Sequence, residues 1–248
     1  MNKPYKNISD TNTAFGNLFG SSITGNTVTN YEKLYNQAKN LYDELDELRD
    51  DGFAVLIKDP NDKDGRKEMV DAVADLLVFL YGLPHFLNVQ YVEATANQHI
   101  VEFLGEIPTP ELYTTVYDDI KNLIDAVIES IQEKATASEI MAEIVSLDTY
   151  LMSLAAFYKV DVTRLVQKVT DSNMSKLCLN DEDTAATLKF YRDKGVDVYS
   201  KDSPLIQANG KPFQVVYSSS EQTVGGKVYR AHKFLKCVNW FEPDLYDI

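Results

Sequence analysis

Two pairs of acidic residues with helical spacing are the first candidates for chemistry in this sequence. Glu44 and Glu47 lie in the segment LYDELDELRD, and Glu68 and Asp71 lie in EMVDAVADLLVFLYG. Residues three positions apart share one face of a helix, so each pair would point its carboxylates in one direction. Two such helices packed side by side would aim the carboxylates at one point, which is how helical bundles build carboxylate metal sites.

The surroundings of the second pair favour a cation. The residues after Glu68 are apolar around nearly the whole predicted helix, and Glu68, Asp71 and Asp75 fall within one narrow strip. Like charges in a buried strip repel one another and lose their hydration, so they need a counter-charge. Mg²⁺, with Mn²⁺ as the alternative ion, takes such oxygen ligands. Basic residues are few here, with Arg66 and Lys67 at the entrance of the strip, and a structural network of salt bridges is the other interpretation.

The overall composition is typical of a folded protein. The 248 residues are 44% hydrophobic and 25% charged. The formal net charge of −14 argues against non-specific nucleic-acid binding and leaves cations or a basic partner. The first residues contain no apolar signal segment, and the longest apolar run is too short to span a bilayer, so we expect a cytoplasmic protein that does not bind membranes.

The cysteines and histidines give no metal or catalytic pattern. Cys178 and Cys237 lie far apart in the sequence, with no Cys or His nearby at metal-ligand spacing, so we expect free thiols. His85, His99 and His232 are scattered without a partner at catalytic spacing, so we expect structural or exposed histidines.

The elements that would position the carboxylates are mainly helical. Apolar residues at steps of three and four predict helices that cover 30–49, 66–81, 111–133, 138–159, 162–168 and 184–192. The acidic residues and the glycine at 50–52 would end the first helix. Another segment, to which no type of structure is assigned, runs from 85 to 103 and is broken by GEIPTP. The pieces FQVVY and GKVYRAH predict a small β-hairpin in the tail. We therefore expect an irregular arm over 1–29, an all-α domain over 30–178, and an extension over 179–248 packed on that domain.

An internal repeat relates the two halves of the helical region. YDELDEL at 42–48 matches YDDIKNL at 117–123, and EMVDAVAD at 68–75 matches EIVSLDTY at 143–150 with the same offset. Two helix pairs in identical register predict that the region arose by duplication and that its helices pack as a four-helix bundle. The alternative is that amphipathic helices resemble one another by chance. Only two of the four acidic positions remain acidic in the second copy, where the counterparts of Glu44, Glu47, Glu68 and Asp71 are Asp119, Asn122, Glu143 and Ser146.

The acidic motifs resemble the hallmark of the all-α nucleoside triphosphate pyrophosphohydrolases, the superfamily of MazG, phosphoribosyl-ATP pyrophosphohydrolase and the dimeric dUTPases. That hallmark is E-E-x-x-E followed by E-x-x-D, and this chain has DELDE at 43–47, where Asp43 replaces the first Glu, and EMVD at 68–71. The resemblance implies an Mg²⁺ site whose ligands are Glu44, Glu47, Glu68 and Asp71. By the same resemblance, Asp75 is an additional ligand or contacts one.

A second match involves the later part of the chain. SNMSKLC at 172–178 and the tail GKVYRAHKFLKCVNWFEPDL resemble the phage-encoded branch of this superfamily. The resemblance implies that Asn173 and Lys176 contact the triphosphate. It also implies that Tyr191 and Arg192 occupy the region where dimeric dUTPases carry further phosphate contacts. A homodimer, in the host cytoplasm if the protein is virally encoded, is expected on the same ground.

The function predicted from these features is metal-dependent hydrolysis of a nucleoside triphosphate to a monophosphate and pyrophosphate. The ions would align the phosphates and lower the pKa of a bound water, which Glu47 would orient or deprotonate. A specific dUTPase or dCTPase with the same chemistry is the first alternative. The second is an acidic protein without catalytic activity that mimics DNA or sequesters a basic partner.

Overall fold

The protein is represented by a computed structural model that describes residues 29–87, 89, 94–207 and 209–248. The described chain divides into two compact units. The first comprises the residues up to Gln167 together with Asp244–Ile248, and the second comprises Lys168–Pro243. The predicted arm over 1–28 lies outside the described residues.

The first unit is helical. Asn30 caps the first helix by accepting a hydrogen bond from the backbone N–H of Lys33 at 3.1 Å. The helices of this unit are α1 (Tyr31–Glu47), α2 (Lys63–Leu87), α3 (Gln98–Glu106), α4 (Thr109–Gln132) and α5 (Ala137–Phe157). A sixth helix, α6 (Val162–Ser175), begins in the first unit and ends in the second. The predicted predominance of helix is therefore confirmed.

The long helices bury their apolar faces against one another. Helix α1 packs against α2 and α4, and α5 packs against α2, α3 and α4. Leu34, Leu41 and Leu45 on α1 have no more than 1% of their surface exposed, as the amphipathic pattern predicts. Helix α5 is long and apolar enough to cross a membrane by length and composition alone, but half of that apolar window is buried, as in a core helix of a globular unit.

The prediction that residues 50–52 end the first helix was wrong. After α1 the chain continues through a π-helical segment (Leu48–Phe53) and one α-helical turn (Ala54–Leu56). Gly52 lies in that segment because α2 passes very close to it: a Cβ on Gly52 would lie 3.0 Å from Met69 Cα. Two other helices are longer than predicted, since α2 continues past Pro84 to Leu87 and α6 continues to Ser175.

We expect Gly52→Ala to lower the free energy of unfolding by about 1–3 kcal/mol, because its Cβ would overpack the contact with Met69. Gly105→Ala in α3 is the matched control, since the nearest atom to its Cβ would be Phe157 Cε2 at 3.9 Å. There, better helix propensity should raise the free energy of unfolding by about 0.5 kcal/mol. Urea unfolding of both variants measures the difference, and an equal effect at the two sites would contradict the close packing.

The second unit combines one helix with antiparallel strands. Helix α7 (Asp181–Asp193) is capped by Asn180, and a three-stranded sheet has the order β1-β2-β5. Its strands are β1 (Val198–Ile206), β2 (Pro212–Ser218) and β5 (Phe234–Leu235), and a separate hairpin joins β3 (Gln222–Val224) to β4 (Lys227–Tyr229). The predicted strand FQVVY lies in β2. The GKVY piece pairs with β3 instead of β2, because Gly225 and Gly226 both have positive φ and close a two-residue turn between β3 and β4.

Candidate functional site

Acidic side chains of α1 and α2 come together where these helices pack. Glu44 is half-buried, and its pKa is raised to about 8 because burial removes water from the carboxylate and because acidic neighbours surround it. Those neighbours, in decreasing order of influence, are Asp75, Glu47, Asp43 and Asp71. The structure thus brings Glu44 close to Asp71 and Asp75 across the α1–α2 contact, and both of these aspartates are half-buried in the stretch 69–83 of α2, which is otherwise apolar.

The other two predicted ligands are placed less centrally. Glu47 is exposed, although its charge still acts on Glu44. Glu68 lies one turn before Asp71 on α2, and its carboxylate pairs with the ammonium of Lys67 at 2.8 Å. Arg66 points its guanidinium elsewhere, donating to the backbone carbonyls of Tyr158 and Ile248 at 3.0 Å each.

The carboxylates fit a divalent cation in chemistry but do not form a closed cage. Within the described residues, no group of three or more His, Cys, Asp or Glu side chains is arranged to hold a metal ion. Carboxylate oxygens are nonetheless the ligands that Mg²⁺ and Mn²⁺ prefer, and Mg²⁺ is usually held by one or two carboxylates together with substrate phosphates. A cation beside Glu44 would also relieve the repulsion that raises its pKa.

In the predicted second copy of the repeat, a tyrosine and a carboxylate meet at the corresponding place. Asp119 on α4 corresponds to Glu44, and Tyr150 on α5 corresponds to Asp75. The Tyr150 hydroxyl donates a hydrogen bond to Asp119 Oδ2 at 2.9 Å, and burial together with this aspartate raises the pKa of Tyr150 above its ordinary value. Sequence analysis missed this contact, although the offset of the repeat would have revealed it. A tyrosine hydroxyl thus stands beside Asp119 where the carboxylate of Asp75 stands beside Glu44.

Tyrosines at equivalent repeat positions join α1 to α4. Tyr42 donates a hydrogen bond from its hydroxyl to the Asp125 carboxylate on α4. Its counterpart Tyr117 on α4 donates to Asp46 Oδ1 on α1 at 3.3 Å and accepts from Arg49 Nη1 at 3.1 Å. Each of these two tyrosines, 75 positions apart, therefore reaches across the contact between α1 and α4.

The residues predicted to contact phosphates belong to the second unit, whereas the carboxylates belong to the first. Lys176 donates from Nζ to Asn173 Oδ1 at 2.6 Å, just after the end of α6. The Tyr191 hydroxyl donates to the carbonyl of Lys236 at 3.1 Å, and Arg192 Nη2 donates to that of Val198 at 3.2 Å. Asn173 and Lys176 are thus brought together, while Tyr191 and Arg192 support the backbone of their own unit.

The two motifs of the second match contact each other. Ser172 donates from its hydroxyl to the carbonyl of Phe241 at 2.9 Å, and the N–H of Phe241 donates to Ser175 Oγ at 3.2 Å. The N–H of Cys237 donates to the carbonyl of Lys176 at 3.1 Å. The SNMSK element therefore holds the segment that contains NWFEP.

The cysteines are free and the two histidines with described side chains are exposed. Cys178 and Cys237 are buried, as free thiols. His99 lies 3.9 Å from the carboxylate of Glu102, and His232 Nδ1 lies 3.1 Å from the Tyr199 hydroxyl. The side chain of His85 lies outside the described residues.

Comparison with known proteins gives one distant relative. The chain is 22% identical over 201 residues to the uncharacterized protein L479 of Acanthamoeba polyphaga mimivirus, a match that covers 76% of each chain. No family model matches the sequence. No solved structure matches it either.

Proposed function

We propose that this protein is an Mg²⁺-dependent nucleoside triphosphate pyrophosphohydrolase, which converts a (deoxy)nucleoside triphosphate and water to a monophosphate and pyrophosphate. The observation that supports this most directly is the half-buried Glu44, surrounded by Asp71, Asp75 and Glu47. Crowding of like charges costs stability, and it is retained where a cation or a substrate makes use of it. The second copy of the repeat has replaced it with the Asp119–Tyr150 hydrogen bond.

The proposal includes a four-helix bundle made of two duplicated helix pairs. Contacts of α1 with α2 and α4, and of α5 with α2 and α4, agree with such a bundle. The hydrogen bonds of Tyr42 and Tyr117 support the duplication, because these two donors are equivalent in the repeat and reach across the same contact from opposite sides, although their acceptors are not equivalent. In this arrangement the first helix pair carries the acidic ligands and the second pair supports it.

The proposed reaction assigns metal binding, proton transfer and phosphate binding to different residues. Glu44, Glu68, Asp71 and Asp75 would hold Mg²⁺, which supplies a positive charge for the phosphates and acidifies a bound water. Glu47 is exposed, and its carboxylate would accept a proton from the attacking water. Lys176, with Asn173 beside it, would bind the negative charge of the triphosphate.

The test is a turnover panel with the purified full chain. Each common ribo- and deoxyribonucleoside triphosphate is incubated with protein and Mg²⁺, and pyrophosphate and the monophosphate are quantified. We expect equimolar pyrophosphate and monophosphate that disappear with a chelator. Turnover of dUTP or dCTP alone would narrow the proposal to a specific enzyme of the same class. Release of orthophosphate instead of pyrophosphate, or no turnover of any nucleotide, would contradict it.

A further inference from the structure

Two buried cysteines flank one threonine in the core of the second unit. Cys178 has 1% and Cys237 has 4% of its surface exposed. The hydroxyl oxygen of Thr187, on α7, lies 3.5 Å from Cys178 Sγ and 3.4 Å from Cys237 Sγ. The sequence placed these cysteines far apart, but folding gives their sulfur atoms a shared hydrogen-bond partner.

Backbone hydrogen bonds fix the segments that carry both cysteines. Cys178 forms a two-way bridge with Gln214 of β2, with both N···O distances at 2.9 Å. The N–H of Cys237 donates to the carbonyl of Lys176, two residues before Cys178. The cysteines therefore lie on neighbouring, hydrogen-bonded segments, and these segments hold both sulfur atoms beside the same Thr187 hydroxyl.

We propose that Cys178 and Cys237 form a dithiol that a low-molecular-weight disulfide, such as oxidised glutathione, converts reversibly to an intramolecular disulfide. The Cys237 thiolate attacks one sulfur of oxidised glutathione and releases a glutathione thiolate. Cys178 loses its proton, attacks the Cys237 sulfur of the mixed disulfide, and releases the second glutathione thiolate. Two electrons pass from the cysteines to the oxidant, and the protons of the cysteine thiols end on the two released glutathiones.

The environment of Cys237 suits the attacking role. A hydrogen bond from the Cys178 thiol lowers the pKa of Cys237 below its ordinary value, which favours Cys237 as the thiolate that attacks first. Cys237 directly follows Lys236, after the two-residue strand β5, and residues 236–248 form only turns and irregular backbone. Local opening of such a segment requires less free energy than unfolding the core, which gives a small oxidant access to a buried sulfur.

The experiment treats the reduced full chain with oxidised glutathione, without nucleotide or metal, so its outcome is independent of the proposed function. Thiols are then counted with a chromogenic disulfide in denaturant, and peptides are mapped without reduction. We expect the thiol content to fall from two per chain to near zero, with one linked peptide that contains both cysteines and no retained glutathione. Dithiothreitol should restore both thiols.

Single-cysteine variants provide the matched controls. Cys178→Ser and Cys237→Ser should each retain one glutathione, because no second thiol resolves the mixed disulfide. The variant that keeps Cys237 should react faster than the variant that keeps Cys178, because a serine hydroxyl at position 178 can still donate a hydrogen bond to the Cys237 sulfur. The proposal is overturned if the wild-type chain keeps both thiols, carries glutathione on both cysteines, or links to a second chain.

Discussion

Glu68→Gln is expected to reduce pyrophosphate release about 10³-fold and to remove the stabilisation that Mg²⁺ gives the wild-type protein. The carboxylate of Glu68 is the first acidic group of the strip on α2, and a glutamine there has the same shape without the charge that binds a cation. Losing about 4 kcal/mol of transition-state stabilisation corresponds to a reduction of this size.

The stabilisation is measured separately by thermal unfolding with and without Mg²⁺ or Mn²⁺. A ligand present at about 100 times its dissociation constant adds ~2.7 kcal/mol to the free energy of unfolding. For a chain of this length, that corresponds to a rise in melting temperature of about 5–10 °C. We expect this rise in the wild type and not in Glu68→Gln.

Glu143→Gln is the control for this prediction. Glu143 occupies the corresponding position of the second repeat, on α5, and is half-buried like Glu68. Its substitution should leave both turnover and the response to Mg²⁺ within about twofold of the wild type, because Asp119 in the second copy already accepts a hydrogen bond from Tyr150. Equal losses in the two variants would show that the acidic helices are structural and would remove the basis of the proposed metal site.

Glu44→Gln should make the metal-free protein more stable at alkaline pH. The pKa of Glu44 is raised from 4.5 to about 8 on folding, so the folded state retains a proton that the unfolded chain loses. The free energy of unfolding therefore falls as pH rises from about 4.5 to about 8, and the full penalty is present above pH 8. Because Glu44 is only half-buried, solvent screening reduces the nominal penalty of ~5 kcal/mol to about 2 kcal/mol.

Urea unfolding in a chelating buffer measures this effect. Glutamine has no charge at any pH, so Glu44→Gln should exceed the wild type by about 2 kcal/mol at pH 8.5 and match it near pH 4.5. The control is Asp119→Asn, whose carboxylate accepts the hydrogen bond from Tyr150. That substitution should lower the free energy of unfolding by about 1 kcal/mol at neutral pH, since a charge-assisted hydrogen bond is weakened. Loss of stability in Glu44→Gln at pH 8.5 would refute the repulsion among these carboxylates.

Periodicity in the sequence was enough to predict α1, α2, α4 and α5 of the first unit, because burial of one apolar face determines both their existence and their orientation. It did not predict the bounds of α3, since the segment 85–103 was left without an assigned structure. It failed at 50–52, where acidic residues and a glycine normally end a helix. Gly52 instead allows the π-helical segment to pack closely against α2, since the backbone of Met69 leaves no room for a Cβ. Strand β1 was not predicted, because VYSKDSPLI mixes polar residues and a proline, and its pairing with β2 depends on partners distant in sequence.

The candidate site was predictable in part. Helical spacing predicted that Asp71 and Asp75 would share a face, and the structure brings Glu44 to them. The pairing of Glu68 with Lys67 was not predictable, because it depends on the side-chain conformations of two adjacent residues. The proximity of Cys178 and Cys237 depends on the pairing of Cys178 with Gln214 of β2, which no local pattern indicates.

The hydrogen bond between Tyr150 and Asp119 also bears on stoichiometry. The proposed duplication would give two equivalent halves and therefore room for two ligands, one in each half. The second half has Tyr150 in place of Asp75, and its Asp119 accepts the hydrogen bond of that phenol, so we expect it to bind an ion less well than the first half. Under the proposed function, calorimetric titration would therefore saturate at a single nucleotide per polypeptide.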